Sequence, residues 1–260
     1  MATSQFQIDG ETAIVTGGSR GIGREIAERV IQEEVNVALC SRDLSRVEPV
    51  ADELGETYSA EALAVECDVR DREAVDRMVD ETLHEFGSLD LLVNNAGASF
   101  MAPFEEISPN GWDSIVSINL EGTYNFCQAA GEKMMDSDGG IIINMSSVAG
   151  QLGAPFMSHY ASAKSGIINL TRSLAQEWSS KGIRVNCVAP GYVATEGVQE
   201  QMGIEAGDVD RSDVDRNMGL TEEIADIVQF LASPASSYIV GQTITCQGVP
   251  PSLELPEEGN

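Results

Sequence analysis

Apolar positions along the chain fall into two alternating patterns. Short β-branched runs occur at TAIVT (12–16), VNVALC (35–40), ALAVEC (62–67), LDLLVNN (89–95), GIIINMS (140–146), IRVNCVA (183–189) and QTITC (242–246). Between them lie longer stretches with apolar residues at helical spacing, such as DREAVDRMVDETLHEF (71–86) and YASAKSGIINLTRSLAQEWSS (160–180). Alternating units of this kind predict an α/β, doubly wound fold, with a parallel sheet covered by helices on both faces. No repeat, low-complexity block or linker divides residues 1–260, so one domain is expected. Residues 191–220 break the rhythm as a polar, acidic, glycine-bearing insertion ahead of the helical stretch TEEIADIVQFLAS. The tail PPSLELPEEGN has no apolar periodicity and is expected to fray or lie as an extended strip.

Composition narrows the function classes. A chain of 260 residues with 42% hydrophobic residues can bury a sizeable core. No apolar run reaches ~18 residues, and the N-terminus lacks a charged segment followed by an apolar one. Neither a membrane span nor a signal peptide is predicted, and the cytoplasm is the expected location. The cysteines (Cys40, Cys67, Cys127, Cys187, Cys246) are far apart and form no CxxC pair, which fits free thiols in a reducing compartment. His84 and His159 have no companion at ligand spacing, so no metal site is expected.

The net charge of −27 argues against a nucleic-acid surface. A plain reading is an acidic face that keeps the protein soluble. A sharper one notes 3 lysines against 12 arginines, with acids spread from end to end. Such a surface suits molar salt, where the Debye length falls to ~3 Å and self-repulsion is screened; a salt-adapted, halophilic protein is expected.

TGGSRGIG (16–23) follows the first strand and opens the first helix. Gly17, Gly21 and Gly23 allow a tight turn and close approach of backbone to a pyrophosphate, with Ser19, Arg20 and Ile22 between them. The helix N-terminus behind them attracts the anion. A plain strand-to-helix connection would use glycines too, but the place after the first strand favours a dinucleotide.

The second strand ends in Ser41-Arg42, where a carboxylate would hold unphosphorylated ribose hydroxyls. A hydroxyl here, with Arg42 beside it and Arg20 across from it, makes a phosphate pocket and predicts NADP(H); Asp43 next door could neutralise Arg42. Two readings fit Asp68: with Val69 it receives an adenine ring, or it caps the next helix. In NNAG, Asn95, Ala96 and Gly97 end the fourth strand at the crevice edge, where asparagines also satisfy turn backbone.

Ser147 ends the fifth strand, and Tyr160 and Lys164 sit one helical turn apart on one face of the next helix. Tyrosine titrates near ~10, so as a base near neutral pH it needs an adjacent cation, which Lys164 supplies. Alone, Tyr-x-x-x-Lys would read as an ordinary amphipathic pair. With the glycine turn, NNAG and Ser147 in register, a hydride-transfer site is the better reading.

These motifs, with Asn119 in SINLEGTYN, NMSSVAG, RVNCVAPGYVAT and GQTITCQG, resemble the short-chain dehydrogenase/reductase family over residues 8 to 248 or so. The resemblance implies a Rossmann fold with a seven-stranded parallel sheet and a catalytic set of Asn119, Ser147, Tyr160 and Lys164. Ser147 takes the role over Ser146 because the family serine lies thirteen residues before the tyrosine. Asn119 is implied to distort its helix and hold a proton-relay water. Lys164 is implied to lower the tyrosine pKa and bind the nicotinamide ribose. Pro190, Gly191 and Thr195 are implied to run along the nicotinamide, with Val193 at its carboxamide. The resemblance also implies association through the helices around 111–135 and 158–181, as a homotetramer, with a dimer as the alternative.

The small-molecule substrate is implied to lie against 98–104, 150–158 and the loop at about 191–220. Stretches such as NNAGASFMAPFEEISPNGW resemble the 3-oxoacyl reductase and enoyl-CoA reductase branches. A 3-oxoacyl ketone on coenzyme A or an acyl carrier is the expected substrate. Phe100, Met101, Phe104, Leu152, Phe156 and Met157 are expected to make its pocket apolar. Few basic residues are present to meet coenzyme A phosphates, so an unconjugated alcohol, ketone or sugar stays open. A silent nucleotide-binding protein is disfavoured because Ser147, Tyr160 and Lys164 are all present. One departure stands out: CQGVPP carries Gln247 and Val249 where the family has an acid and a glycine.

Overall fold

The computed structural model describes residues 5–198 and 206–249; the tail from residue 250 lies outside them. Seven parallel strands form one sheet: β1 Thr12–Thr16, β2 Asn36–Ser41, β3 Ala62–Glu66, β4 Leu91–Asn94, β5 Gly140–Met145, β6 Ile183–Pro190 and, last in the chain, β9 Thr243–Cys246. Their order is β3-β2-β1-β4-β5-β6-β9. Tyr192–Val193 (β7) and Met218–Gly219 (β8) make a separate two-residue ladder within the segment that the sequence marks as an insertion.

Successive residues of one strand feed opposite cores, because strand side chains alternate across the sheet. Ala13 and Val15 join one core, while Ile14 between them joins the other. Leu91 and Val93 part from Leu92 in the same way. Helices cover both faces, so these strands are apolar without interruption. On the first face lie α1 Gly21–Gln32, α2 Leu44–Thr57 and, near the C-terminus, α8 Thr221–Ala232. Helix α1 buries Gly23, Ile26, Ala27, Val30 and Ile31, a stripe at helical spacing. On the opposite face lie α3 Arg72–Phe86, α5 Gly122–Met135 and α7 Ser158–Trp178, with the short α4 Pro109–Val116 and α6 Ala149–Leu152 near the site.

Strand order reverses between β1 and β4, the place where open sheets of this type bind ligands. There Thr16 Oγ1 accepts the backbone N–H groups of Asn95 (3.0 Å) and Ala96 (2.9 Å), tying the two strand ends together. Between α4 and α5 the helix widens into a π turn, Ser117–Glu121, which contains Asn119.

Several expectations shift by a residue or two. β5 ends at Met145, so Ser147 stands on the connection beyond it. Helix α7 begins at Ser158, ahead of Tyr160. Asp71, not Asp68, caps α3, accepting from the N–H groups of Glu73 and Ala74. Along α7, Ile167 and Ile168 are buried within the chain, and Trp178 packs on Gly131.

Candidate active site

Two connected grooves open at the C-terminal ends of the strands. The first is lined by Gly17, Ser19, Arg20, Gly21, Ile22 and Gly23 from the glycine turn. Ser41 at the end of β2 with Arg42 just beyond it, Asp68 and Val69 beyond β3, and Asn95, Ala96 and Gly97 beyond β4 complete it. The close approach is steric at Gly23, where a β-carbon would collide with the Gly17 carbonyl oxygen and Asn95 Nδ2. Asn95 Nδ2 donates to the Thr16 carbonyl at 3.0 Å, holding the turn against β4.

The second groove contains Asn119, Ser147, Tyr160 and Lys164, with Pro190, Gly191, Val193 and Thr195 on its far side. Ile22, Asn95, Gly97 and Thr195 line both grooves, so the two are continuous. The residues singled out from sequence thus come together along one trough.

Each catalytic candidate is held by a specific contact. Asn119 Nδ2 donates to the carbonyls of Ile115 and Ala98, both at 2.8 Å. Its Oδ1 is buried with no partner, an acceptor facing the groove side of Gly97. Lys164 is 4% exposed and donates from Nζ to the Met145 carbonyl at 2.8 Å. Its ammonium lies 5.6 Å from the centre of the Tyr160 ring. Ser147 Oγ lies 3.4 Å from the Pro190 carbonyl and accepts the Ala149 N–H at 3.2 Å. The neighbouring Ser146 is buried, and its hydroxyl donates to the Lys164 carbonyl at 2.8 Å.

Residues 11–203 match the short chain dehydrogenase family. The chain is 37% identical over 240 residues to a 3-oxoacyl-(acyl-carrier-protein) reductase of Staphylococcus aureus, covering 92% of this chain and 97% of that one. It is 36% identical over 249 residues to a D-threitol dehydrogenase of Mycolicibacterium smegmatis, with 94% of each covered. Among solved structures, a short-chain type dehydrogenase/reductase from Mycobacterium marinum superposes with a TM-score of 0.86 at 32% identity. That match covers 94% of this chain and 96% of the other. Levodione reductase gives 0.84 at 30%, covering 92% and 96%.

This chain is a short-chain dehydrogenase/reductase. As such it is an oxidoreductase, and its trough fits the nicotinamide dinucleotide of the family: a steric cradle at Gly23 for backbone approach, and cationic side chains where β2 ends. The dehydrogenase also brings in residues that the motifs did not single out. Arg46, one turn beyond Arg42, lines the first groove with Cys40, Cys67, Ile118 and Glu196. Its position on the first turn of α2 was a readable signal. Asp43 caps α2, accepting from Ser45, and its carboxylate pairs with Arg46 Nε at 3.2 Å rather than with Arg42. Asp68 is held by Arg70 at 2.6 Å, which keeps its carboxyl below the usual range.

Two expectations need correction. Burial pushes the Tyr160 hydroxyl above its ordinary value, offset in part by a hydrogen bond with Ser147. Lys164, engaged with Met145, does not lower it in this arrangement. Burial pulls the Lys164 ammonium down to about 8. The aromatic and aliphatic residues expected to wall the pocket line neither of the two grooves. Met101, Phe104 and Leu152 are each 69% exposed, and Phe100 leans edge-on against His159 with ring centres 4.2 Å apart.

Proposed function

We propose that the enzyme is an NADP(H)-dependent reductase of a ketone bearing an apolar chain, of the 3-oxoacyl type. The observation that carries this reading is the single trough joining the glycine turn and the Ser41-Arg42 strand end to Ser147, Tyr160 and Lys164. Bound NADPH supplies the hydride. Ser147 donates a hydrogen bond to the substrate oxygen and holds it at the Tyr160 hydroxyl. Tyr160 gives its proton to that oxygen as the alcohol forms. Burial keeps Tyr160 protonated at neutral pH, the form that the reductive direction needs. In oxidation Tyr160 must lose the proton, so the Lys164 cation has to turn from Met145 toward the phenolic oxygen and the ribose. Asn119 offers its unpartnered Oδ1 to a water that returns protons toward Lys164.

The exposed apolar side chains of Met101, Phe104 and Leu152 favour an acyl or alkyl chain, and the similarity to 3-oxoacyl reductases points the same way. A sugar-alcohol dehydrogenase is the second reading, favoured by the similarity to D-threitol dehydrogenase. Ser41 with Arg42 and Arg20 supports NADP(H) over NAD(H). We place the enzyme in the cytoplasm as a salt-adapted homotetramer of one-domain subunits. No helix among the described residues is long and apolar enough to cross a membrane.

NADPH oxidation across a panel of 3-oxoesters, simple ketones and enoyl thioesters, with NADP-linked oxidation of threitol, tests the reading. Fastest turnover of a 3-oxo compound is expected. Turnover of threitol alone selects the second reading, and bound nucleotide without turnover of any compound overturns both.

A further inference from the structure

Arginine side chains line the first groove at Arg20, Arg42 and Arg46, and the carboxylates of Asp68 and Glu196 line it as well. Asp68 is taken up by Arg70, through Nη2 at 2.6 Å and Nε at 3.0 Å. Of the arginines in this groove, Arg46 is the one with a carboxylate partner among the described residues. Its Nε lies 3.2 Å from Asp43 Oδ2.

Asp43 divides its oxygens between two tasks. Oδ1 caps α2, accepting the Ser45 N–H at 3.1 Å and the Ser45 hydroxyl at 2.6 Å. Oδ2 meets Arg46. Arg46 can therefore leave Asp43 without loosening the helix cap. Exposure makes the exchange easier still. The two side chains are 68% and 52% exposed, and an ion pair in solvent holds its partners weakly.

A phosphate monoester carries close to two negative charges at neutral pH and offers several oxygens to the planar guanidinium fork. It is a stronger partner for Arg46 than a solvated carboxylate is. Ser41 Oγ accepts the Asp43 N–H at 3.4 Å, which leaves its own O–H as a donor. Ser41, Arg42 and Arg46 thus share the wall made by the end of β2 and the first turn of α2, and Arg20 stands on the glycine turn.

We propose that Arg46 is a specificity-determining residue for the 2′-phosphate of the cofactor, held on Asp43 in the free enzyme and transferred to the phosphate on binding. Asp43 then acts against that phosphate, both as the competitor for Arg46 and as a like charge beside it. This rests on the NADP(H) reading above and extends it to a residue that neither the glycine turn nor the strand end marks.

The test is calorimetric binding of adenosine 2′,5′-bisphosphate and of AMP, which lacks the 2′-phosphate. It is run at the lowest KCl that keeps the assembled protein folded, and again in molar KCl. The wild type is expected to favour the bisphosphate. Arg46→Ala should weaken bisphosphate binding by about fivefold, the upper value for an exposed pair, and leave AMP within about twofold. Asp43→Asn keeps a side-chain oxygen to cap α2 and removes the charge, so bisphosphate binding should tighten by about twofold or more. That gain should shrink when Arg46 is alanine as well, because the two residues are coupled. Molar KCl should reduce each difference.

An unchanged ratio of the two affinities in Arg46→Ala, with the wild type still favouring the bisphosphate, overturns this proposal and leaves the NADP(H) reading standing. Weaker bisphosphate binding in Asp43→Asn overturns the competing role of Asp43. Equal binding of both nucleotides by the wild type removes the NADP(H) reading and the proposal with it.

Discussion

Asn119 and Lys164 meet across the α-carbon of Gly97. A β-carbon there would lie 2.7 Å from Asn119 Oδ1 and 3.4 Å from Lys164 Nζ, so the glycine keeps the space between acceptor and ammonium open. Gly97→Ala should therefore push one of these two proposed catalytic groups aside while leaving the fold intact. A displacement of about 1 Å can lower a rate by roughly 100-fold. We expect kcat to fall by about that factor with a melting temperature close to wild type. Normal turnover in the alanine variant would show that the Asn119–Lys164 gap has no part in the reaction.

Tyr160→Phe removes only the hydroxyl to which the proton exchange is assigned in our proposal. Turnover should drop by roughly 100-fold to 10,000-fold, the range for loss of a general acid. NADPH affinity, followed by fluorescence, should stay within about twofold of wild type, a difference of under ~0.5 kcal/mol. Lys164→Ala should impair both readouts. Substantial activity in Tyr160→Phe would remove the tyrosine from its assigned role.

Lys164 makes stability depend on pH. Burial pulls its ammonium down to about 8 in the folded chain, whereas an unfolded lysine titrates near ~10.4. Between those values the unfolded chain binds more protons, so stability rises with pH across that window and the charge is most costly below it. Lys164→Met should raise stability at pH 7 by about 1–3 kcal/mol, and the gain should shrink as pH approaches ~10. Melting curves of both proteins from neutral to alkaline pH would expose a gain that does not shrink.

Cofactor choice should follow the end of β2. Ser41, Arg42 and Arg20 line the groove together, and Arg46 adds a third guanidinium. NADP(H) should bind at least about tenfold tighter than NAD(H), or ~1.4 kcal/mol. Ser41→Asp with Arg42→Ala should reverse the order, since the new carboxylate repels a 2′-phosphate and accepts from ribose hydroxyls. The comparison belongs in both low and high salt, because screening reduces phosphate pairing. A wild-type preference for NAD(H) would contradict the assignment.

The acidic surface should make folding salt-dependent. With a net charge of −27, self-repulsion falls as KCl rises and the melting temperature should climb toward molar salt. Light scattering in the same buffers should report a tetramer at micromolar concentration. A melting temperature independent of KCl would leave the charge as a solubility feature only, and a monomer in high salt would refute the assembly.

The sequence by itself determined the layering and the list of candidate site residues. Strand and helix periods say which side chains face the sheet, and the glycine turn, NNAG and Tyr-x-x-x-Lys lie at strand ends or on one helix face by local geometry alone. The π turn at Asn119 and the continuous trough agree with that reading. Spacing along the chain says nothing of which neighbour arrives from elsewhere. Only the tertiary structure decided that Asp71 rather than Asp68 caps α3, and that Asp43 turns to Arg46. Only it set Lys164 on the Met145 carbonyl and left Met101, Phe104 and Leu152 exposed. It also set the protonation of the site. Tyr160 is pushed up and Lys164 down by burial, and burial is decided by every segment packed around a group, whereas spacing involves only the two residues it separates.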